Sequence, residues 1–105
     1  MPSLTSFGRE ITKAREKRAI TQKQLASEVR REDGEPISPQ YLNDIERVRR
    51  VPSSEIIRGL ASVLGLDSDY LHYLAKKWPE DLAEASLEPT QVRELMFAFR
   101  QFNQR

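Results

Sequence analysis

TQKQLASEVRREDGEPISPQYLNDIE, residues Thr21 to Glu46, holds the clearest local structural signals of the chain. It divides into two short helices joined by a connection, and each helix is opened by a hydroxyl residue able to cap it. Thr21 precedes Gln22 to Val29, where Leu25, Ala26 and Val29 are spaced to cover one helical face. Ser38 precedes Pro39 to Glu46, with proline at the first helical position, where its missing N–H goes unneeded. In this second helix Leu42 and Ile45 point inward, while Pro39, Gln40, Asn43 and Asp44 face out. The connection RREDGEP contains Gly34 and Pro36 and is a loop by composition.

Working outward, residues 1–5 read as a loose leader. From Ser6, the residues Phe7, Ile11 and Ala14 recur at helical spacing and the polar run Arg15 to Arg18 completes a first helix. It lacks a capping box, because Arg9 stands three residues after Ser6. Ile20 is placed to plug the core at the turn into Thr21. Beyond Glu46, Pro52 ends any helical continuation, and Ser53 or Ser54 caps a helix with Glu55 in its first turn. Its apolar stripe is Ile56, Ile57, Leu60, Ala61 and Leu64, and Gly65 is the natural stop. Asp67 caps a fifth helix, Ser68 to about Lys77, with Tyr70, Leu71, Leu74 and Ala75 as apolar members. Lys76 and Lys77 fall at its negative end, and Trp78 is expected to fold back onto the core. No stretch alternates with period two, so the fold class is all-α.

The last quarter differs in character. Residues 80–88 are acidic, with room for a weak helical turn or two. A final helix, 91–103, carries the stripe Val92, Leu95, Met96, Phe99 and Phe102, with Phe97 off it. That face must bury itself against the chain's own domain or against a second copy. In the second case Leu95, Met96, Phe97, Phe99 and Phe102 are the dimer contacts. The expected organisation is a domain over 1–79 and a C-terminal extension over 80–105.

The totals narrow the class. A chain of 105 residues, 38% apolar and 31% charged, supports one modest core. No apolar run reaches the roughly 20 residues of a membrane span, and no leader resembles a signal peptide. Cysteine is absent, which excludes disulfides and thiolate metal sites and makes the cytoplasm the default location. The net charge of +1 hides an asymmetry: residues 1–53 carry eleven basic and eight acidic side chains, against six and eight in 54–105. Any nucleic-acid contact must therefore come from a local patch. Candidates are Arg47, Arg49 and Arg50, with Lys13, Lys17, Arg18 and Lys23. The one histidine, His72, is expected as a partly exposed helix-face residue without a ligand set. No metal, cofactor or catalytic grouping is expected, and an enzyme is not the reading.

Thr21-Gln22-x-x-Leu25-Ala26, Ser38-x-x-Tyr41-Leu42-x-x-Ile45-Glu46-Arg47, Pro52-Ser53 and Leu60-Ala61-x-x-Leu64-Gly65 together resemble the lambda-repressor/Cro (XRE) type of helix-turn-helix domain. The resemblance covers about Ser6 to Lys77. It implies a five-helix bundle, here with an additional C-terminal amphipathic helix, and a helix 38–47 that enters the major groove. By that resemblance Gln40 and Asn43 contact bases, each amide able to bond adenine N6 and N7 together. Pro39 touches at most a thymine methyl, and Asp44 accepts from cytosine N4 or turns toward Arg47 or Lys23. Gln22, Lys23, Tyr41, Arg47, Arg49 and Arg50 contact phosphate. Arg15 and Glu46 match a structural ion pair of the family.

Two departures stand out. The family turn between the paired helices is about three or four residues long, whereas Arg30 to Ile37 lie between Val29 and Ser38. And Val48 stands where glycine is common; a β-branched residue resists the left-handed conformation, so the helix is expected to end differently.

The function implied is sequence-specific binding of double-stranded DNA by a prokaryotic or phage repressor. It would act as a homodimer on a palindromic operator, with half-sites about 34 Å apart. The alternative is an antitoxin-like or protease-controlled module, in which the bundle and its tail dock a toxin or protease.

Overall fold

The computed structural model describes residues 4–104, and the chain there is helical throughout, with no strand. Seven helices follow in order: α1 Leu4–Lys17, α2 Gln22–Glu28, α3 Pro39–Glu46, α4 Ser54–Leu64, α5 Ser68–Leu74, α6 Glu80–Ala83 and α7 Pro89–Asn103. The first helix thus begins at Leu4, inside the expected leader, whose residues 1–3 lie outside the described residues.

Local chemistry explains the starts. Thr21 Oγ1 accepts from the Gln24 N–H at 3.0 Å while Gln24 Oε1 accepts from the Thr21 N–H at 2.8 Å, a reciprocal capping box. Ser38 and Asp67 each accept from the amide three residues on at 3.0 Å, and Ser53 does so at 3.3 Å. Each cap satisfies an orphan amide and contributes about 1 kcal/mol.

The stops correct one expectation. Val48 does adopt the left-handed region, at φ 64°. Its N–H donates to the Ile45 carbonyl at 3.1 Å and the Arg49 N–H donates to the Asp44 carbonyl at 2.8 Å. This pair of bonds is the Schellman arrangement that glycine usually serves. Ala19 and Lys76 end α1 and α5 the same way, at φ 56° and 58°. The β-branch raises the cost without changing the outcome, because two carbonyl bonds and the packing of the next segment hold the turn.

The core is built by α1 to α5 and the residue before α3. Phe7 and Ile11 from α1 meet Leu25, Ala26 and Val29, then Ile37, Leu42 and Ile45, then the α4 stripe and Leu71 and Leu74. Ile20 packs against this cluster from its edge. α1 contacts α3, α4 and α5, α2 contacts α3, and α4 contacts α5. Gly8 makes the α1–α3 crossing possible: a Cβ there would run into the Glu46 carbonyl oxygen.

The long connection is closed at its base. The Ile37 N–H donates to the Val29 carbonyl at 2.9 Å, Arg30 and Pro36 form an antiparallel bridge, and Gly34 turns the tip at φ 86°. Because Val29 and Ile37 are both buried and bonded to each other, the extra residues project outward and leave α2 and α3 packed together.

Other expectations give way in the C-terminal half. α5 stops at Leu74, so Lys76 and Lys77 follow it instead of ending it. Tyr70 is exposed and stacks on Tyr73, with ring centroids 6.3 Å apart. Trp78 does not fold onto the core; it is 48% exposed, because the left-handed turn at Lys76 and the following Pro79 carry it past the bundle. His72 is 1% exposed rather than on the open face. α6 and α7 contain no buried residue.

Candidate nucleic-acid interface

α3 buries Leu42 and Ile45 and so turns its other side outward. Pro39, Gln40 and Arg47 are exposed there, and Tyr41, Asn43 and Asp44 are half-buried beside them. Gln22, the first residue of α2, is half-buried against this surface, and Lys23 is exposed next to it.

Below this surface, the Glu46 carboxylate gathers four donors from two helices, α1 and α2. Arg15 Nε reaches Oε2 at 2.8 Å, and Arg15 Nη2, Thr12 Oγ1 and Gln22 Nε2 each reach Oε1 at 3.1 Å. The Arg15 and Glu46 side chains are 15% and 5% exposed. Arg15 Nη1 also donates to the Ile20 carbonyl at 3.0 Å, tying the α1–α2 turn to the same group. The hydrogen bond to Glu46 holds the Arg15 pKa above its ordinary value, against the lowering effect of burial.

This network sets the polarity of the surface above it. Glu46 only accepts, so Gln22 must present its amide nitrogen, and that nitrogen also donates to Asn43 Oδ1 at 3.2 Å. Arg47 Nε, which only donates, points to the same Oδ1 at 3.3 Å. The Asn43 carbonyl is therefore occupied twice, and its amide hydrogens are what remain for a ligand. Gln40 is held differently: its Nε2 donates to Asp44 Oδ1 at 3.0 Å, which leaves its carbonyl and a second N–H.

The basic residues are arranged around this head. The Arg50 guanidinium lies over the Tyr41 ring, 5.3 Å from its centroid. Arg49 Nη1 is 3.8 Å from Asp44 Oδ1. Asp44 thus turns toward Gln40 and Arg49, not toward Arg47 or Lys23 as the sequence suggested. The loop arginines are engaged within their own loop: Arg31 pairs with Asp33 at 2.8 Å and Arg30 Nη1 reaches the Gly34 carbonyl at 3.5 Å.

Two groupings escaped the sequence reading. Thr12 joins the Glu46 cluster, and its only local signal was a small polar residue one position after Ile11. His72 bonds Ser54 Oγ through Nε2 at 2.8 Å and the Ser68 carbonyl through Nδ1 at 2.7 Å, cross-linking α4 and α5. The carbonyl can only accept, so Nδ1 carries a proton and donates to it. Among the described residues no cluster of His, Cys, Asp and Glu is arranged to hold a metal ion, and no helix is long and apolar enough to cross a membrane. The C-terminal candidates Leu95, Met96, Phe97, Phe99 and Phe102 all lie on α7, away from this head.

Against known proteins, a family model described as helix-turn-helix matches residues 11–71, more than half of the chain. No curated protein matches it, and no solved structure does.

Proposed function

The chain belongs to the lambda-repressor (XRE) type of helix-turn-helix proteins, a family of DNA-binding transcription regulators, and from that membership we propose a sequence-specific repressor of prokaryotic or phage origin. It acts in the cytoplasm, as a homodimer on a palindromic double-stranded operator, with α3 in the major groove. The observation that carries this reading is the outward face of α3, where Asn43 is held in a fixed hydrogen-bonding state through Gln22 by the buried Glu46 carboxylate, and Gln40 by Asp44.

Gln40, with a carbonyl and an N–H to offer, matches adenine N6 and N7. Asn43, with only its amide hydrogens to offer, matches the paired acceptors N7 and O6 of guanine. Pro39 stands at the tip of α3 and supplies apolar contact to a thymine methyl. Asp44 acts mainly by holding Gln40, with an acceptor left for cytosine N4. Lys23, Tyr41, Arg47, Arg49 and Arg50 surround these groups as phosphate contacts, joined by Gln22 through its backbone N–H because both its amide hydrogens are engaged, and stacking on Tyr41 limits where Arg50 can reach. The alternative, an antitoxin-like or protease-controlled module, draws on the exposed α6–α7 region, where the same chain would dock a toxin or protease.

Selection from random duplex DNA at two salt concentrations tests the proposal, with Gln40→Ala and Arg50→Ala beside the wild type. Gln40→Ala relaxes preference at one position, while Arg50→Ala weakens binding to all sequences and flattens the salt slope by about one unit. A wild-type chain that enriches no sequence and binds without salt dependence refutes it.

A further inference from the structure

Of the eleven large apolar side chains left exposed among the described residues, only Val51 precedes Tyr70. Four of the others, Tyr73, Trp78, Leu82 and Phe99, line a cleft of about 590 Å³ between the end of α5 and α7. Tyr73, Trp78, Leu82, Leu95 and Phe99 form its apolar walls, and Asp69, Lys76 and Lys77 give its rim both signs of charge.

The surface is larger than a lone chain should carry. The accessible area is 7444 Å² for 12.2 kDa, where a folded monomer of that mass has about 6,100 Å². The excess, on the order of 1,300 Å², is more than the about 800 Å² that each partner gives to a standard interface. The radius of gyration tells the same story, at 15.3 Å against about 13 Å for a compact domain of this length. Of the exposed large apolar side chains, Tyr73, Trp78 and Leu82 wall the cleft, and Val92, Met96, Phe97, Phe99 and Phe102 lie on α7.

We propose that the α5–α7 cleft is a homodimer interface, occupied by α7 of a second copy of this chain. A two-fold interface must carry both shapes on one patch, because whatever one copy inserts the other must receive. This patch carries both: the cleft, and the α7 stripe whose Leu95 and Phe99 wall it. Val92, Leu95, Phe99 and Phe102 are spaced as the seam of a helix pair. The positions flanking that seam are Gln91, Met96, Ala98 and Asn103, all uncharged, so identical helices meet without repulsion. Arg93, Glu94 and Arg100 fall outside the flanks. The choice of a second copy over another protein also rests on the DNA-binding reading, since a palindromic site needs two heads.

Sedimentation equilibrium of the full chain without DNA decides the matter. The expected mass is twice 12.2 kDa at micromolar concentration. Leu95→Glu and Phe99→Glu each raise the dissociation constant by more than about tenfold. Circular dichroism should show the bundle intact in both variants, because α7 buries nothing in the core. Phe97→Glu is the control: two residues from Phe99, it faces the other way and leaves the dimer unchanged. A chain that stays at 12.2 kDa at tens of micromolar overturns the proposal. So does a dimer that Phe99→Glu weakens no more than Phe97→Glu. Because no DNA is present, a monomer here leaves the DNA reading standing, and a failed DNA selection leaves the mass unchanged.

Discussion

Gln22 and Asn43, on different helices, meet side chain to side chain at 3.2 Å, with the Gln22 amide as donor and the Asn43 carbonyl as acceptor. The same Gln22 nitrogen is shared with Glu46, so the buried ion pair and the outward face of α3 form one hydrogen-bonded unit.

The first prediction concerns base preference. With its carbonyl occupied, Asn43 selects guanine over adenine at the base it faces, since adenine N6 would present a donor to a donor. Gln22→Ala combined with Arg47→Ala frees that carbonyl and shifts the preference toward adenine. The shift should be about tenfold or more, given the 1–3 kcal/mol a good bidentate pair is worth. Competition binding to operators differing at that one pair measures it. Adenine preferred by the wild-type chain would refute the assignment.

The second concerns stability. Glu46→Ala leaves Arg15 charged, mostly buried and without its carboxylate, and should lower unfolding free energy by about 3–5 kcal/mol. That is a large share of the 5–15 kcal/mol typical of a domain. Replacing both, as Arg15→Met with Glu46→Leu, should recover most of the loss, since desolvation of the pair offsets much of its attraction. Urea denaturation reads both, and a loss under about 1 kcal/mol for Glu46→Ala would contradict this account.

Val48→Gly should stabilise the protein. The left-handed turn is kept by two backbone bonds, and removing the β-branch relieves a strain on the order of 1–2 kcal/mol. The half-buried side chain takes back part of this, leaving a gain of roughly 0.5–1 kcal/mol, or a few degrees in melting temperature. A lower melting temperature would show that the packing of Val48 outweighs its backbone strain.

The loop 30–37 carries a pH signature. The Glu35 N–H donates to the Asp33 carboxylate at 3.0 Å, and this bond, helped by the charge of Arg31, holds the Asp33 pKa below its ordinary 3.8. A depressed carboxylate contributes order above its unfolded value and loses it as pH falls through the lower folded value. The Glu35 amide resonance should therefore titrate with a midpoint below 3.8, and Asp33→Asn should remove that transition. A midpoint at or above the ordinary value would mean that the turn does not use this bond.

How much of this could be read in advance follows from distance along the chain. The caps at Thr21, Ser38, Ser53 and Asp67 act on amides three residues away, and the stripes of α2, α3 and α4 repeat within one turn. Both signals lie inside a short window. Arg15 with Glu46 was reachable only through family resemblance, because nothing near either residue names the other. Gln40 and Asn43 were legible as exposed amides, but which of their atoms stays available was not.

The family, the order of the five bundle helices and most of the apolar set in the core are legible along the chain, though Tyr70 and Trp78 stay out of that core. These rest on backbone preferences and local periodicity, which are properties of neighbours. The tertiary structure alone decided the state of the Thr21–Glu46 unit and of the tail beyond it. It occupied the Asn43 carbonyl from a helix 21 residues earlier and buried His72 against a serine 18 residues away. It forced Val48 into a glycine's conformation and left Trp78 on the wall of a cleft. Hydrogen bonding and burial are satisfied by whatever the fold brings near, and packing chooses those partners.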